Sequence, residues 1–182
     1  NVEERAVVGA PVDALVERIH TESAGQSRQA TGWAASNVDV YQVNCTFFDA
    51  LGRDRARYLT ARALQLFVPG IPQIYYVGLL AGTNDMDLLA RTGVGRDINR
   101  HYYTDTEVDE ALADPLTATL VDLLRLRREH PAFSGEFTVS GEGPDLVMTW
   151  RLGERWAQLR VDAAHGTSVV EWNEEDGSVK TC

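Results

Sequence analysis

Long apolar runs are missing from this 182-residue chain. None of its hydrophobic stretches approaches the roughly 18 consecutive apolar residues of a membrane-crossing helix, so no spanning helix and no membrane partner is expected. Cysteine is scarce. Cys45 and Cys182 stand far apart, at no spacing that suits a metal or a redox pair, and no disulfide framework is expected. That usage fits a reducing compartment, which makes a cytoplasmic location the expectation. Bases are outnumbered, 17 against 27 acids, for a formal net charge of −10. A surface of that sign, with no basic stripe, repels nucleic acid. The chain also lacks an initiator Met and a signal peptide. It opens on Asn-Val-Glu-Glu without a capping or strand signal, and is expected to continue a longer polypeptide. No residue grouping indicates a metal site or an organic cofactor.

What is present suffices for a core: 44% of residues are hydrophobic and no tract is of low complexity. Val12, Leu15, Val16 and Ile19 recur at helical spacing and predict a short amphipathic helix to His20. From Thr21 to Asn37, Ser, Gly, Gln and Ala dominate, which predicts a long loop. A second helix is predicted from Arg55 to Phe67, with Leu59, Ala63, Leu66 and Phe67 on one face and Pro69-Gly70 as its end. Ile71 to Gly78 is a β-rich run, apolar on both faces, as a strand inside a parallel sheet would be. A polar loop is predicted from Leu79 to Tyr103. Asp114-Pro115 supplies an N-cap and a first-turn proline for a helix striped with Leu116, Leu120, Leu123 and Leu124, ending at His130-Pro131.

After Ser134-Gly135 the period turns from helical to alternating. Leu146, Met148, Trp150 and Leu152 face one way, Gly153-Glu154 forms a two-residue hairpin turn, Trp156 to Val161 returns, and Thr167 to Trp172 adds a third strand. Trp150, Trp156 and Trp172 are expected to pack the core of this β module.

Three motifs in order carry a family resemblance. Phe67-Val68-Pro69-Gly70 followed by Ile71-Pro72-Gln73-Ile74-Tyr75-Tyr76-Val77-Gly78 resembles the last helix-to-strand step of the α-amylase clan barrel. Ala35-Ser36-Asn37-Val38-Asp39-Val40-Tyr41-Gln42-Val43-Asn44 looks like the mobile acceptor-site loop of sucrose phosphorylases. Gly95-Arg96-Asp97-Ile98-Asn99-Arg100-His101-Tyr102-Tyr103 looks like their loop after the eighth strand. Leu79 after Gly78 also fits that group, since general amylases usually place an acid there. Val38 and Val40 depart from it, standing where sucrose-specific members commonly have leucines.

The resemblance implies an α/β fold: the C-terminal portion of a (β/α)8 TIM barrel followed by a small antiparallel β domain. Residues 1–134 would be the last part of the catalytic barrel with its acceptor-site loops, and 135–182 the C-terminal domain. Such barrels carry their sites at the C-terminal ends of the strands. The family's chemistry is retaining transfer of the glucosyl group of sucrose, or sucrose 6′-phosphate, to inorganic phosphate through a covalent ester on an aspartate. Its three catalytic carboxylates lie on earlier strands, so no residue of this chain is assigned a catalytic role. The implied partners are the sugar, inorganic phosphate and, in a homodimer, a second copy of the chain. Rival readings are a hydrolase or transglucosidase of the same clan, and a non-catalytic carbohydrate-binding fragment.

Four residues are the substrate-binding candidates. By resemblance Arg96 holds the glucosyl end of the donor, and its guanidinium is a planar fork of donors suited to vicinal hydroxyls. Gly95 is expected to let the backbone turn sharply before it. The plain alternative is a surface arginine paired with Asp97 or Asp85. By resemblance Asp39 and Gln42 contact fructose, and Tyr41 and Gln42 serve the phosphate step. A carboxylate suits sugar hydroxyls and repels phosphate, so a loop exchanging Asp39 for Tyr41 reconciles the two acceptors. The plain alternative is a turn-capping Asp39 and a core Tyr41. His101 beside two tyrosines reads as a structural histidine, and Arg100 as an ion-pair partner. Arg160-Val161-Asp162-Ala163 matches the pattern around the clan's nucleophile, but stands after the eighth strand inside a hairpin, so Asp162 reads as an exposed strand-end aspartate. Asn44-Cys45-Thr46 is formally a glycosylation sequon and is discounted.

Overall fold

The computed structural model describes residues 12–34 and 43–182. They form two compact units, one from residues up to 54 together with 75–108, the other from 55–74 together with 109–182.

In the second unit, the helices Arg55–Phe67 and Pro115–Glu129 pack on each other, and the first also lies on a five-stranded antiparallel meander. Its strands are β1 (Glu136–Ser140), β2 (Asp145–Leu152), β3 (Arg155–Asp162), β4 (Thr167–Asn173) and β5 (Val179–Thr181), in the order β1-β2-β3-β4-β5. The Asp114 carboxylate accepts from the Leu116 N–H at 2.7 Å and Pro115 occupies the first turn, so the second helix starts as its sequence predicts. Leu116, Leu120, Leu123 and Leu126 are its buried stripe. Leu124 is only half-buried, one position off the stripe.

Gly153 makes the β2–β3 turn with φ at 58°, the sign a tight hairpin needs. Met148 and Trp150 face inward, whereas Leu152, at the strand end, is 46% exposed. Of the three tryptophans only Trp150 is core. Its indole N–H donates to the Phe67 carbonyl at 2.7 Å, satisfying one of the carbonyls that a helix end leaves open. Trp156 and Trp172 are half-buried: Trp156 stands opposite exposed Arg151, on the face away from Trp150, and Trp172, level with Ala157 on β4, turns its indole N–H to the Glu174 carboxylate at 3.0 Å. Asp162 lies at the end of β3, where it accepts from the His165 backbone N–H at 3.0 Å, a local turn contact.

The run Ile71–Gly78 is not a strand. Residues 71–75 have no ladder partner, Tyr76–Leu79 is a single helical turn, and Ile71 is 93% exposed. A parallel strand exists only through neighbours that take its N–H and C=O groups, and every strand among the described residues pairs within β1–β5.

Two predicted loops contain helices. Gln26–Ala34 lies inside the stretch read as loop, where small Ser27 and Ala30 allow close burial that compositional reading does not register. Met86–Thr92 and a 3-10 turn, Gly95–Asn99, occupy the stretch after Leu79. Asp105–Ala113 was not anticipated either. Its signal is a capping box, with Thr104 Oγ1 accepting from the Glu107 N–H at 3.3 Å and the Glu107 carboxylate accepting from the Thr104 N–H at 2.7 Å. The helical turn Phe47–Ala50, the 3-10 turn Pro131–Ser134, β1 and β5 are the other unpredicted elements. No helix among the described residues is long and apolar enough to cross a membrane.

Arg127 pins the second unit. Its guanidinium lies over the Phe133 ring at 4.7 Å and the Trp150 ring at 5.2 Å, and donates to the Gly70 carbonyl at 3.1 Å. Replacing it by alanine is expected to cost about 1–2 kcal/mol of stability, the range of a partly desolvated cation–π contact. Arg127→Lys should restore little, since an ammonium cannot cover two rings. Thermal denaturation of the two variants beside the unaltered protein checks this.

Candidate functional site

The first unit positions Arg96. The Asp85 carboxylate caps the helix Met86–Thr92 by accepting from the Leu88 N–H at 2.7 Å. Gly93, with φ at 65°, closes that helix through its N–H to the Leu89 carbonyl at 2.9 Å. The left-handed step expected at Gly95 is therefore taken two residues earlier, and Gly95 opens the 3-10 turn. Within that turn Ile98 is fully buried against Ala30 and Leu89. Its carbonyl accepts from the Asp85 N–H at 2.7 Å.

Arg96, two residues before Ile98, is exposed. The acids that could neutralise it are engaged elsewhere: Asp97 lies 3.5 Å from Arg100, and Asp85 lies 2.7 Å from His101 Nδ1. Among the described residues Arg96 has no hydrogen-bonding or ionic partner. Its side chain is exposed and carries five N–H donors.

His101 sits between two carboxylates, with Nδ1 on Asp85 and Nε2 3.3 Å from Glu107, and stands edge-on to the Tyr103 ring at 4.6 Å. The Asp85 bond outweighs burial and holds the imidazole pKa above its ordinary value. Burial opposes ionisation of Asp85, but the Leu88 N–H and His101 together bring its pKa below the usual carboxylate range. The Tyr76 hydroxyl donates to the His101 carbonyl at 2.9 Å, and burial with its tyrosine neighbours pushes its pKa up to about 12. His101 is thus a structural residue whose protonated form the two carboxylates favour.

A second network lies beside this one. The carboxylate of Asp49, 3% exposed, accepts from the Thr46 hydroxyl at 2.8 Å, the Asn84 N–H at 2.7 Å and Arg53 Nε at 2.8 Å. The Asn84 amide oxygen accepts from the Thr46 N–H at 2.8 Å. Asn44 is 4% exposed and its amide nitrogen donates to the Ala30 carbonyl, so the sequon presents no free acceptor for a glycan. Burial pushes the Cys45 thiol up to about 11, which leaves it unreactive at neutral pH.

Of the four residues singled out from sequence, Arg96 is described, and Asp39, Tyr41 and Gln42 lie outside the described residues. Sequence reasoning missed Asp49, Asn84 and Asp85. A signal was present at two of them: Asp49 stands three residues after the N-cap Thr46, and Asp85 is itself an N-cap.

No family model matches the chain. Over 160 residues it is 58% identical to a sucrose phosphorylase of Agrobacterium vitis, covering 87% of this chain and 33% of that protein. Over 175 residues it is 45% identical to a sucrose phosphorylase of Bifidobacterium adolescentis, covering 91% of this chain and 35% of that one. The crystal structure of a sucrose 6F-phosphate phosphorylase from Thermoanaerobacter thermosaccharolyticum aligns with a TM-score of 0.74 at 39% identity, covering 78% of this chain and 29% of that one. The chain spans about a third of the length of the curated relatives it matches. Sucrose phosphorylase and sucrose 6F-phosphate phosphorylase homologues cover most of it, and the resemblance read from the three motifs is borne out.

The Asp85–His101 pair makes stability depend on pH in a defined window. His101, raised above 6.5, contributes fully below that value and loses its contribution as pH rises through the folded-state pKa. Asp85, lowered from 3.8, contributes above that value and loses its contribution as pH falls through its folded-state pKa. Following the His101 ring protons by NMR should give a midpoint above 6.5, and Asp85→Asn should bring it down. An unchanged midpoint in the variant would contradict this account of the pair.

Proposed function

We propose, with homologues of that kind covering most of the chain as the premise, that it forms part of a retaining glycoside phosphorylase. The enzyme transfers the glucosyl group of sucrose, or of sucrose 6′-phosphate, to inorganic phosphate, giving α-glucose 1-phosphate and fructose or fructose 6-phosphate. The observation that carries this reading is Arg96: a guanidinium on a turn anchored by buried Ile98, without a partner among the described residues while its neighbouring acids are committed to Arg100 and His101.

Retention requires two displacements on one carbon. A carboxylate attacks the anomeric carbon while a second carboxyl protonates the departing fructosyl oxygen. Phosphate then attacks the glucosyl ester while the second carboxylate, now a base, manages the incoming proton. Those carboxylates belong to the part of the enzyme outside this chain. The contribution of this chain is binding. Arg96 fixes the glucosyl hydroxyls in both steps, so that the anomeric carbon meets each nucleophile in one orientation. Asp39 and Gln42 hold the fructosyl group, and Tyr41 and Gln42 serve phosphate. In this reading residues 1–134 complete a (β/α)8 barrel, 135–182 form the C-terminal domain, and the enzyme works in the cytoplasm, as a homodimer where it pairs with a second copy.

The full-length protein, given phosphate with sucrose or sucrose 6′-phosphate in parallel, is expected to form glucose 1-phosphate from one of them. Arg96→Ala should cripple transfer to every acceptor, by about 100-fold or more if the donor is misplaced. Asp39→Ala should chiefly weaken binding on the fructosyl side. Free glucose that appears without phosphate, or equal mild effects of both substitutions on all acceptors, would overturn this assignment.

A further inference from the structure

The two residues that precede the helix Met86–Thr92 do more than start it. Asp85 reaches two parts of the chain beyond its own helix: its carboxylate takes the His101 ring as well as the Leu88 N–H, and its N–H reaches the Ile98 carbonyl. Ile98 and His101 bracket Arg96 on its C-terminal side, two and five residues along. Gly93, on the other side, is fixed by the helix that Asp85 caps. The turn that presents Arg96 is therefore held by Asp85, at the Ile98 carbonyl and at the His101 ring, and by the burial of Ile98 and Leu89. Asn84 extends the same framework backward, with contacts to Thr46 and Asp49, and the Asn99 amide reaches the Cys45 carbonyl at 3.5 Å.

We propose that Asp85 is the positioning residue for Arg96, holding the Gly95–Asn99 turn through the Ile98 carbonyl and through His101. This rests on the reading of Arg96 as the glucosyl-binding residue. Asp85 touches no substrate. It acts by removing the freedom of a guanidinium that has no other tether among the described residues. An exposed arginine samples many rotamers, and restricting the backbone beneath it lowers the entropy lost when it grips a sugar. The ion pair with His101 also keeps the Asp85 carboxylate occupied, so that it does not collapse onto Arg96 and block it.

The test is a double-substitution cycle in the full-length protein. Asp85→Asn keeps an N-cap acceptor for Leu88 but removes the charge that holds His101. Glucose 1-phosphate formation is measured for Asp85→Asn, Arg96→Ala and the pair, with the thermal midpoint of each. Asp85→Asn is expected to lower kcat/KM by about 10- to 100-fold in the unaltered background. In the Arg96→Ala background it should lower it by less than about threefold, because residues acting through one contact are not additive. Should Asp85→Asn fail to fold, His101→Gln is read against Arg96→Ala in the same way. Equal losses in both backgrounds, or an Asp85→Asn enzyme as active as the unaltered one, would overturn the positioning role and leave Arg96 as assigned. An Arg96→Ala enzyme that keeps its activity would instead bring down the reading of Arg96, and this proposal with it.

Discussion

The first unit is organised around a buried carboxylate. Asp49 is almost wholly removed from water, and an ion so placed is tolerated only when its lone pairs are filled. A hydroxyl, a backbone N–H and a guanidinium fill them, drawn from Thr46, Asn84 and Arg53. Two of these partners lie within four residues and come with the local helical turn. Asn84 is 35 residues away, and its N–H is the one that cannot be supplied locally. Meeting the needs of Asp49 therefore fixes where the chain must return. Once Asn84 is fixed, its neighbour Asp85 is fixed too, and with it the helix cap, the Ile98 carbonyl and His101. Beside this network, Ala30, Leu89 and Ile98 form a small apolar cluster with Met86 packed against it.

The second unit solves its packing by other means. Its interior is chiefly aromatic and aliphatic, with buried Thr60 bonded to Gly166 and Ser168 and buried Arg62 to Tyr58 and Gln65. The Trp150 indole closes the helix Arg55–Phe67, and Arg127 covers two rings while tying down Gly70. Here hydrophobic area dominates and hydrogen bonds locate it. Substitutions in the two units should therefore fail differently, by unsatisfied polarity in the first and by lost packing in the second.

This difference explains what could be read from sequence. The helices Arg55–Phe67 and Pro115–Glu129 and the hairpin at Gly153 announce themselves, because periodicity, caps and turn glycines are local signals. The helices at Gln26–Ala34 and Met86–Thr92 are short, the first made mostly of small and polar residues and held by contacts such as Asn84 with Gln26 across 58 residues. Composition alone reads such stretches as loops. The run at Ile71–Gly78 fails for the opposite reason. Its side chains carry a strand pattern, yet a strand is a property of a pair, and no partner lies among the described residues. Arg96 was found through its motif, whereas Asp85 was not, because nothing in a sequence says that a helix cap also receives a histidine sixteen positions on.

The electrostatic arrangement around Arg96 follows from the same bookkeeping of partners. In a chain of net charge −10 an exposed arginine should find an acid easily, and two stand nearby in sequence. Both are withdrawn, Asp97 by Arg100 and Asp85 by His101. Each pairing cancels one negative charge near the turn, and a raised imidazole pKa keeps the second cancellation in force through slightly acidic pH. The positive charge of Arg96 is thereby left uncompensated by its own neighbours. A binding arginine needs that condition, since a guanidinium already satisfied by protein carboxylates has little to gain from a sugar hydroxyl. His101, which contacts no substrate in this scheme, is then as much a part of the binding apparatus as the residue it frees.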